Sequence, residues 1–122
     1  MDKGRSRYHR ILSFKYALEG ISAGIKEEPN LKFHFLFAGL VILAGAILQI
    51  TRSDWMIIIV LIGLVLTAEM TNTALEAIVD SFTQDQHPRA KYAKDISAGA
   101  VLIVAITSAV LGLIIFLPYL GV

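Results

Sequence analysis

The chain has 122 residues and a formal net charge of +1, with 56% of its residues hydrophobic and 17% charged. A water-soluble domain carries about a quarter charged residues, so the composition leans towards a single-domain membrane protein. With no cysteine, disulfides, thiolate nucleophiles and cysteine-based metal sites are excluded, and the near-neutral charge offers no field for nucleic acid.

Residues 8–26 carry the first pattern. Ile11, Phe14, Leu18, Ile21 and Ile25 recur at alternating spacings of three and four, an apolar helical stripe. Arg7, Arg10, Lys15, Glu19 and Lys26 fall mostly elsewhere. The expectation is a basic amphipathic helix over residues 6–27 lying in the membrane interface, with packing on another part of the protein as the alternative. The first thirty residues lack a compact apolar core followed by a small-residue cleavage site, so no secretory signal peptide is expected.

Glu28-Pro29-Asn30 closes that helix and opens the next. Three long apolar stretches follow: 31–50, with Lys32 and His34 at its start; a second from Trp55, uncharged as far as Ala68; and a third from Ile96 to Leu120 with no charge at all. Crossing the hydrocarbon core takes about 20 apolar residues. The predicted membrane spans are 31–50, 55–82 and 92–119. A soluble three-helix bundle would show polar stripes, and the third stretch has none. Thr51 to Asp54 reads as a tight turn with Ser53 or Asp54 as helix N-cap, and Thr83 to Pro88 as the second loop.

Basic residues orient the chain. Lys3, Arg5, Arg7, Arg10, Lys15, Lys26 and Lys32 precede or open the first span. Arg89, Lys91 and Lys94 follow the second, and Arg52 alone lies between the first two. Positive residues stay in the cytoplasm. The N-terminus and the 83–91 loop are therefore expected inside, and the 51–54 turn and the C-terminus outside.

The second helix continues past its apolar run as EMTNTALEAIVD. Glu69, Asn72, Glu76 and Asp80 are spaced three, four and four, which places them within about 80° of one another on one helix face. Their stripe is about 16 Å long. Carboxylates stacked one turn apart repel, and desolvating them near lipid is costly. A compensating cation makes the arrangement tolerable, and Mg²⁺ takes oxygen ligands and commonly arrives with nucleotide phosphates. A solvated helix end would account for Asp80 and Glu76. It suits Glu69 poorly, because counting about 20 residues from Trp55 puts Glu69 inside or at the edge of the hydrocarbon. Glu28 sits at the mouth of the first span, beside an equally plain surface acid, Glu27. Lys94 and Asp95 sit at the mouth of the third. Lys91 and Lys94 share a face and suit phosphate as compact charges, or anchor the helix by snorkelling. His9, His34 and His87 lack metal-ligand spacing.

Read in order, SFKYALEGI at 13–21, Glu28-Pro29-Asn30, EMTNTALEAIVD at 69–80 and AKDISAGAVL at 93–102 resemble the prokaryotic membrane diacylglycerol kinase family. The SFKYA and EPN forms look like its Gram-positive undecaprenol kinase branch. The resemblance implies an all-α homotrimer of three-span protomers with N-terminal surface helices. It implies ATP and Mg²⁺, with undecaprenol as lipid acceptor or, in the alternative, diacylglycerol. Carried over by position, Glu69 would be the general base, and Glu28 and Glu76 would hold Mg²⁺ on ATP. Asn72 and Asp80 would support these groups, Lys94 would contact phosphates, and Tyr16, Asp85, Gln86, His87 and Asp95 would surround the rest of the nucleotide. A proton- or ion-translocating subunit is the competing class. It would need polar groups along the depth of the bilayer, and here the outer half of every span is apolar.

Overall fold

The computed structural model describes residues 3–83, 85 and 87–122. Its elements are α1 (Lys3–Glu27), α2 (Pro29–Leu48), α3 (Arg52–Phe82), α4 (Pro88–Phe116) and a closing 3₁₀ turn, Leu117–Leu120. The protein is thus all-helical, with an N-terminal helix and three helices long and apolar enough to cross a membrane. These three bury little of themselves within the chain. Leu36, Ile47, Met56, Ile59, Ile103 and Ile114 all point outward, as side chains facing lipid or a neighbouring subunit do.

Each break has a local cause. Glu28 adopts an extended conformation ahead of Pro29, which is tolerated in the first turn of α2. The residue before a proline avoids helical angles. At the far end Gln49 takes a left-handed conformation with φ 53° and ends α2. The N-cap of α3 is Thr51, not Ser53 or Asp54: its hydroxyl accepts a hydrogen bond from the Asp54 N–H at 3.2 Å. Capping by Thr51 satisfies an otherwise orphaned donor of the first turn, and α3 therefore starts at Arg52, inside the expected turn.

The apolar core lies near this end. Ile50, Ile58 and Ile115 are buried together, with Val41, Leu48, Trp55, Ile62, Phe116 and Tyr119 packed around them. The Tyr119 hydroxyl donates to Asp54 Oδ2 and accepts from the Thr51 N–H at 3.1 Å. At the opposite end, Lys94 Nζ donates to Asp80 Oδ1 at 2.6 Å. The separations 54–80 and 94–119 both correspond to about 38 Å of helix. α3 and α4 are therefore an antiparallel pair of matched length, tied at both ends.

α1 joins this pair mainly through α2, with a smaller direct contact to α3. Leu31, 1% exposed, packs over Gly24. Of the apolar stripe, Ile11, Phe14 and Leu18 remain exposed, while Ile21 and Ile25 are half-buried. The outer half of α1 thus presents its apolar residues away from the rest of the chain.

Candidate functional site

The acidic run of α3 is sorted by its own side chains. Thr71 and Thr73 spend their hydroxyls on the carbonyls of Thr67 and Glu69, the usual way to satisfy a hydroxyl inside a span. Glu69, Asn72, Glu76 and Asp80 remain as the polar groups whose side chains are not spent on the carbonyls of their own helix. Their exposure rises along the helix. Glu69 is buried, only 5% exposed, Asn72 and Glu76 are half-buried, and Asp80 is exposed. The stripe runs from a closed interior to an open surface in about three turns.

Glu69 faces α2, where His34 Nε2 lies 3.6 Å from Glu69 Oε2. Further along, Asn72 Nδ2 donates to Glu76 Oε1 at 3.4 Å, and Asn72 Oδ1 is buried without a partner. The Asp80–Lys94 ion pair closes the run across to α4. One helical turn earlier on α4, Lys91 pairs with Asp95. Arg89 lies over the Tyr92 ring at 5.0 Å.

The remaining positions named from the sequence are spread around this stripe. Glu28 is the half-buried N-cap of α2, and its carboxylate makes no capping hydrogen bond. Tyr16 is 62% exposed on α1. Asp85 is exposed, and its carbonyl accepts from Thr83 Oγ1 and from the His87 N–H. His87 is the N-cap of α4, its Nδ1 accepting from the Arg89 N–H at 3.1 Å. Gln86 lies outside the described residues. The structure thus joins Glu69 to α2, and Asp80 to Lys94, while Tyr16 and Asp85 are not drawn into a shared hydrogen-bond network with them. Sequence reasoning passed over His34, having asked only whether it could be a metal ligand. A titratable side chain one turn inside an apolar span was itself the signal.

Among the described residues, no group of three or more His, Asp or Glu side chains gathers as a ready-made metal cage. The donor set nonetheless suits a cation that arrives with its own ligands. Mg²⁺ usually takes one or two protein carboxylates and completes its shell with water and substrate phosphates. The orphaned Asn72 Oδ1 beside Glu76 is a hard oxygen of the kind such an ion accepts.

Comparison with known proteins agrees along most of the chain. A family model described as prokaryotic diacylglycerol kinase matches residues 15–116. An undecaprenol kinase of Bacillus subtilis is 44% identical over 108 residues, 88% of each chain. A diacylglycerol kinase of Synechocystis is 36% identical over 88% of this chain and 62% of its own. One from Pseudomonas aeruginosa is 31% identical over 80% of both.

Proposed function

The chain belongs to the prokaryotic diacylglycerol kinase family of membrane lipid kinases, and from that premise we propose that it phosphorylates the hydroxyl of undecaprenol at the cytoplasmic membrane interface, using ATP and Mg²⁺. The observation that carries this reading is the gradient of burial along Glu69, Asn72, Glu76 and Asp80, ending in the pair with Lys94. A water-soluble donor and an acceptor dissolved in lipid can meet only where one side of a site is wet and the other oily. The choice of undecaprenol over diacylglycerol is supported by the 44% identity to an undecaprenol kinase, against 36% and 31% to two diacylglycerol kinases.

Positioning and charge neutralisation supply most of the catalysis in phosphoryl transfer. Glu69, deepest in the stripe, takes the proton of the lipid hydroxyl as that oxygen bonds to the γ-phosphorus. The bond from the γ-phosphorus to its bridging oxygen breaks, and ADP leaves. Glu28 and Glu76 would hold Mg²⁺, which would supply charge neutralisation to the phosphates. Lys94 is poised for the same phosphates from α4. Asp80 orients Lys94, and Asn72 orients Glu76. Tyr16, Asp85, Gln86, His87 and Asp95 border the rest of the nucleotide. By resemblance the working unit is a homotrimer, with the site between protomers.

The test is turnover in mixed micelles with C55 polyprenol and diacylglycerol assayed side by side. Glu69→Gln should lower turnover by about 100-fold or more, the scale of a general base. A loss of only a few-fold would remove Glu69 from that role. Parental preference for diacylglycerol would keep the chemistry and change the acceptor. ATP consumption should require lipid and move no ions.

A further inference from the structure

Most titratable side chains near the cytoplasmic ends have local work. Asp80 is tied to Lys94, Asp95 to Lys91, and His87 caps α4. His34 differs. It is one turn inside α2, four-fifths buried at its side chain, and the polar group it faces is Glu69, whose side chain is 7% exposed. The two span helices α2 and α3 thus meet at a polar pair in an apolar zone. α4 brings no competing charge to that depth: beyond Asp95 it carries no titratable side chain, and the next in the chain is Tyr119, in the closing 3₁₀ turn at the other end. Of the charges of α1 and α2 nearest in sequence, Lys26, Glu27 and Glu28 lie more than one turn from His34 where the two helices join, and Lys32, two residues away, is exposed on another face of α2.

A carboxylate in such surroundings has a broad, nearly two-fold preference about its last torsion, so its plane is set by its partners. Glu69 Oε2 faces His34 Nε2 at 3.6 Å, while Glu69 Oε1 makes no side-chain hydrogen bond among the described residues. The separation is slightly beyond a hydrogen bond, and catalytic hydrogen bonds are often long before substrate arrives and tighten in the complex. We propose that His34 is the positioning residue for Glu69: its Nε2–H holds Oε2 and leaves Oε1 turned to accept the proton of the lipid hydroxyl. This rests on Glu69 being the base. The proton passes from the hydroxyl to Oε1, and His34 neither gains nor loses one in the step.

The experiment compares His34→Phe, which keeps the ring volume without an N–H, with His34→Gln, whose terminal amide can reach the same oxygen. His34→Phe should lower kcat by about 10- to 100-fold, the loss for one hydrogen bond to a charged group, with KM for Mg-ATP and for lipid unchanged. His34→Gln should recover most of the parental kcat. Parental kcat in His34→Phe overturns the proposal, as does equal loss in both variants or a raised KM at constant kcat. If His34→Phe yields no folded protein, His34→Asn, polar but too short to reach Oε2, takes its place with the same expectation. Glu69→Gln in the same assay separates the two claims. Parental turnover there sinks the base assignment, whereas an inactive Glu69→Gln beside a fully active His34→Phe sinks only the positioning role.

Discussion

Glu28 and Glu76 stand on different elements, and neither belongs to a preassembled cluster of three acids or histidines among the described residues. Two carboxylates, even with the amide oxygen of Asn72 beside Glu76, are too few protein ligands to bind Mg²⁺ tightly in water, because that ion dehydrates reluctantly. The expected behaviour is weak Mg²⁺ binding without nucleotide and strong coupling with ATP. Alanine at Glu28 or at Glu76 should weaken Mg-ATP binding by about tenfold or more, read by calorimetric titration of ATP at several Mg²⁺ concentrations. Parental curves for both variants would remove these carboxylates from the metal. At this scale the sequence was legible where partners share a helix. Glu69, Asn72, Glu76 and Asp80 could be aligned because helical spacing is periodic. Partners across helices could not: Glu69 with His34, Asp80 with Lys94, and Asp54 with Tyr119, 65 residues apart. Nothing in the spacing of those residues encodes which helix faces which.

Among the elements, the junction of α1 with α2 decides where Glu28 sits. Two glycines of α1 test it, because both are helical but only one is crowded. A Cβ on Gly20 would meet nothing within 4 Å, whereas one on Gly24 would lie 2.7 Å from Leu31 Cδ2. Leu31 is 1% exposed and has little room to yield. Replacing a helical glycine by alanine gains up to about 1 kcal/mol. Overpacking a filled site costs about 1–3 kcal/mol. Gly20→Ala should therefore raise the thermal midpoint in detergent, while Gly24→Ala should match the parent or fall below it, with weakened Mg-ATP binding as Glu28 shifts. Equal rises for both would mean the junction is looser than the packing indicates. The elements themselves were largely readable from apolar run length and from Pro29. The start of α3 was not, since Thr51, Ser53 and Asp54 are all competent caps, and the choice went to the one whose hydroxyl meets the Asp54 N–H.

At the scale of the molecule, α3 and α4 form a hairpin tied at both ends, and the acidic stripe opens towards the end where Lys94 meets Asp80. The apolar sides of the spans are left to lipid or to further copies of the chain, which is where a homotrimer would be built. Such a site works only if that end faces ATP, so the direction of insertion is part of the mechanism. The basic residues argue for it: ten of eleven lie before the end of the first span's opening turn or after the second span, and Arg52 is the exception. With no native cysteine, single introduced thiols report orientation without background. Arg52→Cys and Val122→Cys should react with a membrane-impermeant maleimide in intact cells. Arg7→Cys and Arg89→Cys should react only after the membrane is opened. All four positions are exposed in the structure, so protection would reflect the bilayer rather than packing. Reversed labelling would put the acidic stripe outside the cell, where no nucleotide reaches it, and the kinase reading would lose its donor.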